Sequence, residues 1–128
     1  MNDGNIAVLR PAERVGFDVE PLRALVRDLG ADPAERAADD VIEDIILRLS
    51  AVETAWAQGD FPRLTEAARM LGTSAERLGM VTVSRVAQGL RGVGRTGDSA
   101  AMGALLARLA RVCEASLFSI WDIGYGEV

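Results

Sequence analysis

The chain contains no histidine and no lysine; all 14 of its basic residues are arginines. Without imidazole there is no histidine general base, no histidine metal ligand and no phosphohistidine. Without an amine side chain there is no lysine nucleophile, no Schiff base and no phosphate-binding P-loop lysine. A single cysteine, Cys113, excludes an internal disulfide framework and a cysteine zinc cluster. Long apolar runs are also missing: no uncharged stretch approaches the roughly 18 residues that a membrane span needs. Carboxylates, hydroxyls, one thiol and one tyrosine are what remain for chemistry, so an enzyme is not expected.

What is present is the composition of a folded domain. The 128 residues are 49% apolar and 26% charged, enough for one domain with its own core. The start, Met1-Asn2-Asp3-Gly4, has neither a basic nor an apolar segment and does not read as a secretory signal. The expected location is therefore cytoplasmic. The net charge of −5 opposes nucleic-acid binding by the chain as a whole. That charge is unevenly placed. Residues 1–60 carry 13 acids and 6 arginines, a net of −7, and residues 61–128 carry 6 acids and 8 arginines, a net of +2. Six of those arginines lie in 61–97 with only Glu66 and Glu76 as acids. This is either two solvated faces or an arginine face that meets an acidic protein.

Residues 1–17 have weak periodicity and read as an irregular arm. Pro21 followed by Leu22, Leu25, Val26 and Leu29 predicts a short helix that Gly30 stops. Asp32-Pro33-Ala34-Glu35 predicts an N-capped helix start. Ala38, Val41/Ile42, Ile45, Leu49, Val52 and Trp56 then step by three or four to Gly59. Asp60-Phe61-Pro62 opens a helix with the stripe Leu64, Ala68, Leu71, Ala75 and Leu78, broken at Gly79. A shorter helix from Thr82 or Val83 turns Val83, Val86, Leu90 and Val93 inward. Gly92–Gly97 forms a turn, and Asp98 or Ser99 caps a last helix with Met102, Leu105/Leu106, Leu109, Val112/Cys113, Ser116/Leu117 and Ile120 inward. Gly124 and Gly126 fray the tail. The predicted fold is all-α: an antiparallel four-helix bundle with a short extra N-terminal helix, in a single domain over 1–128.

Three local patterns need no function. Gly92-x-Gly94-x-x-Gly97 spells a dinucleotide fingerprint, but it follows a helix and no βαβ pattern surrounds it, so it is a turn. Cys113 lies on an inward stripe and is expected to be a buried structural thiol. Asp39, Asp40, Glu43 and Asp44 fit a solvated face near a helix N-terminus better than a cation site. Trp56 and Trp121 are assigned to bundle packing, Trp121 the more exposed. No metal and no cofactor is expected.

Gly59-Asp60 leads into Ala67-Ala68-Arg69-Met70-Leu71-Gly72-Thr73-Ser74-Ala75-Glu76-Arg77-Leu78-Gly79, with Leu90 and Gly97-Asp98 further on. Together with the long helix from Asp32, residues 32–122 resemble the histidine-containing phosphotransfer (HPt) domain of two-component phosphorelays, whose motif is A-H-x-L-K-G-S-S-x-x-L-G. Ungapped, the match puts Arg69 at the phosphoacceptor and keeps Ala68, Leu71, Ser74, Leu78 and Gly79 in register. Gly72 then stands at the family's lysine and Thr73 at its glycine. Aligning Gly72-Thr73-Ser74 on Gly-Ser-Ser instead puts Ala68 at the phosphoacceptor, but needs an insertion inside a helix. In either register the phosphoacceptor histidine is absent.

The resemblance implies a non-catalytic signalling or adaptor protein that binds a receiver domain or a histidine-kinase module and accepts no phosphate. Its expected contact face, opposite the inward stripe, carries Thr65, Glu66, Arg69, Gly72, Thr73 and Glu76, with Arg77 at the rim. Gly72 marks the close approach of either a neighbouring helix or a docked partner. The alternative is a homo-oligomerising bundle, a homodimer for example, that buries apolar surface near Trp121, Ile123 and Tyr125.

Overall fold

Glycines punctuate the chain where the sequence places them. The computed structural model describes residues 15–122, and among these the regular structure is five helices with no strand: α1 (Glu20–Leu29), α2 (Ala31–Gln58), α3 (Phe61–Arg77), α4 (Val81–Gly94) and α5 (Ser99–Asp122). Gly59 adopts a left-handed φ of 69° and its N–H closes the end of α2 on Ala55 and Trp56 carbonyls. Asp60 caps α3, its carboxylate accepting from the Arg63 amide at 3.1 Å, and Pro62 sits in the first turn. Asp98 does the same for α5 through the Ala101 amide, also at 3.1 Å. These are three local expectations met.

Three boundaries differ. Asp32 is not a cap: α2 already begins at Ala31 behind Gly30, and Asp32 lies in its first turn, where a carboxylate favours the dipole. The α4 helix starts at Val81 rather than Thr82 or Val83. Its helix also runs through Gly92 and Gly94, leaving only residues 95–98 as the turn. Glycine lowers helix propensity by about 1 kcal/mol, but packing overrides it here. Gly94 lies against α3, where an added Cβ would come within 2.6 Å of Thr65 Oγ1.

Each helix packs on the next in the chain, most closely α2 on α3 and α3 on α4, while α5 leans on α4 and touches α2 more lightly. The α3 stripe Leu64, Ala68, Leu71, Ala75 and Leu78 is completely buried. It belongs to one buried cluster with Ile45 and Val52 of α2, Val83 and Leu90 of α4, and Met102, Leu109 and Ile120 of α5. Each such side chain contributes about 1.5–3 kcal/mol by leaving water. Ala34 and Ala55 are also fully buried, although the apolar spacing did not single them out. Trp56 stacks on Phe61 with ring centroids 6.4 Å apart and leans on Gly103 of α5, so it packs as expected.

Of the expected irregular arm, residues 1–14 lie outside the described residues. Val15 and Phe17 pack against the core. The same segment is tied to the start of α4 and to the α3–α4 connection: the Gly16 amide donates to Thr82 Oγ1 at 2.5 Å and the Asp18 amide to the Gly79 carbonyl at 2.8 Å. No helix among the described residues is long and apolar enough to cross a membrane.

Candidate protein-docking face

The outer surface of α3 is built by the same periodicity that buries its other side. Arg69, Thr73, Glu76 and Arg77 are all exposed, as the helical spacing requires. Arg69 is not an idle charge. Its Nε donates to Glu66 Oε1 at 3.0 Å and its terminal nitrogen to Glu66 Oε2 at 2.5 Å, a two-pronged pair one turn apart. The hydrogen bond from Arg69 holds the Glu66 carboxyl below its ordinary value, with added attraction from Arg69 and Arg91. Reciprocally, the bond to Glu66 raises the Arg69 guanidinium. Glu66 thus takes the side-on edge of the Arg69 guanidinium, and a partner carboxylate either displaces it or engages the end-on edge formed by the two terminal nitrogens.

Gly72 departs from the expected face. It is buried, and a Cβ there would meet Ala87 Cβ at 3.4 Å and the Ser84 carbonyl at 3.8 Å. The neighbouring helix α4, not open surface, is what comes close at Gly72. Thr65 is likewise drawn partly inward, donating to the Phe61 carbonyl at 2.9 Å. Beside Gly72 the α3–α4 seam keeps a dent of about 50 Å³ lined by Ala68, Arg69, Thr73, Glu76, Gln88 and Arg91. The structure thus brings Arg91 and Gln88 of α4 up to Arg69, two residues that the motif on α3 did not point to. The excess of arginine over 61–97 marked this stretch of the chain, but not which of its residues stand beside Arg69.

Asp44, met by Ser74, is a second departure. Ser74 is 5% exposed and donates to Asp44 Oδ2 of α2 at 2.5 Å. Asp44 is therefore half-buried and not part of the fully solvated face assigned to its acidic neighbours. Arg48 Nε approaches Asp44 at 3.4 Å without hydrogen-bond alignment, so that buried nitrogen has no acceptor. Ser74→Ala removes the α2–α3 tie while Asp44 can rehydrate. The expected cost is about 1 kcal/mol, read as a lower urea midpoint with an unchanged slope; no shift would show that the bond adds nothing.

Cys113 is 2% exposed on α5, and burial, aided by the negative charge of Glu53, pushes its thiol up to about 12. It is a packed, unreactive group. Ser116, on the same inward stripe, is fully buried with its hydroxyl unpaired. Phe118 and Trp121 are 64% and 60% exposed and meet edge to face at 6.1 Å. Trp121 is thus the exposed tryptophan, as expected; Ile123 and Tyr125, assigned to the same apolar surface, lie outside the described residues. Among the described residues no group of three or more Cys, Asp or Glu side chains is placed to hold a metal ion. No protein-family model, curated protein or solved structure matches the chain.

Proposed function

We propose that the chain is a degenerate HPt-like module, with α2–α5 forming an antiparallel four-helix bundle that docks a receiver or histidine-kinase module without accepting phosphate. The observation that carries this reading is the pairing of a buried motif with an exposed arginine. Ala68, Leu71 and Leu78 are fully buried, as the ungapped register needs, and Arg69 at the phosphoacceptor position faces outward. A phosphorelay histidine meets an acidic receiver pocket, and a guanidinium offers that pocket a permanent charge with a planar donor fork. It occupies the pocket and gives nothing back. Competition with a true phosphotransfer protein follows.

The test is titration of Arg69→Ala and Arg69→Glu against an isolated receiver domain, with melting curves alongside. Affinity is expected to fall at least tenfold, because truncating one side of a desolvated charge pair costs about 2–5 kcal/mol. Stability should move by less than about 0.5 kcal/mol, since the Arg69–Glu66 pair is exposed and one turn apart. Unchanged binding removes the receiver-docking reading. A large stability loss shows Arg69 to be structural and the register wrong.

A further inference from the structure

The outward stripe of α5 is as regular as its inward one. Ala104, Ala107, Arg111, Glu114, Phe118 and Trp121 recur at steps of three and four, which sets all six within roughly a 100° arc of the helix. All six are exposed: α5 packs on α4 and more lightly on α2, and no described element covers this arc. The first part of the stripe offers small side chains, Ala104 and Ala107. The last part offers two large ones, Phe118 and Trp121, 64% and 60% exposed and set edge to face at 6.1 Å. Between them stand Arg111 and Glu114, neither of which forms an ion pair among the described residues.

A face that runs from small to large, with a cation before an anion, is its own complement when reversed. We propose that two copies of the chain dimerise through this face, their α5 helices antiparallel about a twofold axis between Arg111 and Glu114. Arg111 of each copy then meets Glu114 of the other, Phe118 seats on Ala107 and Trp121 on Ala104. Charge and size select this register together. Parallel helices would set Arg111 on Arg111 and Glu114 on Glu114, and a slide of one heptad would set both charges against alanines or against the aromatics. The other charges of α5 keep the same polarity: Arg108 precedes the axis and Asp122 follows it, so reversal lays the basic half of one helix over the acidic half of the other. Glu53 of α2, whose charge reaches Cys113 on the inward side, is exposed and stands beside the stripe rather than on it.

The knobs supply enough area for a weak dimer. Four aromatic side chains of roughly 150–250 Å² each, about three-fifths exposed, bury roughly 700–1,200 Å² together with the surface they cover, near the lower limit of about 1,000 Å² for a specific interface. The contact is isologous and closes at two copies. It goes beyond the receiver-docking reading and leaves the α3 face around Arg69 uncovered.

The experiment is sedimentation velocity of the full chain across the micromolar range, where an interface of this size places its Kd. The wild type should pass reversibly from monomer to dimer, with no larger species. Arg111→Glu and, separately, Glu114→Arg set like charges together on both sides of the axis and should each weaken the dimer at least tenfold. Phe118→Ala empties both Ala107 sites at once and should also weaken it at least tenfold. All three positions are exposed, and circular dichroism verifies that the helices persist. The decisive sample is the equimolar mixture of the two charge variants. Two glutamates of one chain then face two arginines of the other, and a heterodimer should form with strength restored. A wild type that stays monomeric overturns the proposal. So does either charge variant dimerising as strongly as the wild type, which would place the contact elsewhere, or a mixture that stays monomeric. None of these variants touches Arg69 and no receiver is present, so failure here leaves the docking reading standing.

Discussion

Gly79→Ala is expected to lower stability by about 3 kcal/mol or more, well beyond the usual cost of alanine at a left-handed glycine, about 1–2 kcal/mol. Gly79 has φ +77°, and an added Cβ would overlap the Asp18 carbonyl oxygen and lie 2.9 Å from its carbon. Both atoms belong to backbone, so no side-chain rotation relieves the overlap. The chain at 15–19 must move, and with it go the Asp18–Gly79 and Gly16–Thr82 hydrogen bonds and the packing of Val15 and Phe17. Each hydrogen bond contributes about 0.5–1.5 kcal/mol. Gly97→Ala is the matched control, because Gly97 has φ +73° and nothing within 4 Å of the added Cβ. It should show the backbone penalty alone. Equilibrium unfolding of both variants measures the difference, and amide exchange at Asp18 locates it. Equal losses at the two sites would mean that the 15–19 segment contributes nothing to the fold.

The second large effect concerns Cys113. At pH 8 a thiol raised to about 12 has a thiolate fraction some three orders of magnitude below that of an ordinary thiol near 8.5. Alkylation of the native chain by iodoacetamide should be slower than that of the denatured chain by about 10³-fold or more, because the thiolate is the nucleophile. Rates within tenfold would refute the burial. The same shift sets a pH dependence. The folded value lies above the unfolded one, so the neutral thiol's stabilisation is complete below about pH 8.5 and declines as pH rises toward 12. Cys113→Ala removes that decline. Its unfolding free energy should therefore fall less than that of the wild type between about pH 9 and 11; parallel curves would show that another group controls alkaline unfolding.

Arg69 shows what could be read ahead of the structure and what could not. Its exposure followed from the 3.6-residue period, because Leu64, Ala68, Leu71, Ala75 and Leu78 define one buried stripe and Arg69 lies off it. Its pairing with Glu66 was also within reach, since residues one turn apart meet on a helix. Arg91 and Gln88 were not. They stand beside Arg69 only because α4 packs on α3 in a particular axial register.

The sequence by itself determined the helical class, the inward stripes, the helix starts at Asp60 and at Asp98 or Ser99, the stop at Gly59, and the absence of histidine and lysine chemistry. These depend on residue type and on spacings of a few residues, which local geometry converts directly into structure. Tertiary structure alone decided the rest. Gly72 meets Ala87, Gly79 meets Asp18, Ser74 reaches Asp44, and the α4 helix continues through Gly92 and Gly94. Each of these contacts joins positions brought together by packing between elements. Glycine in a sequence says only that a side chain is missing; the element packed above it says whether the space is a docking surface, a helix contact or a strained turn.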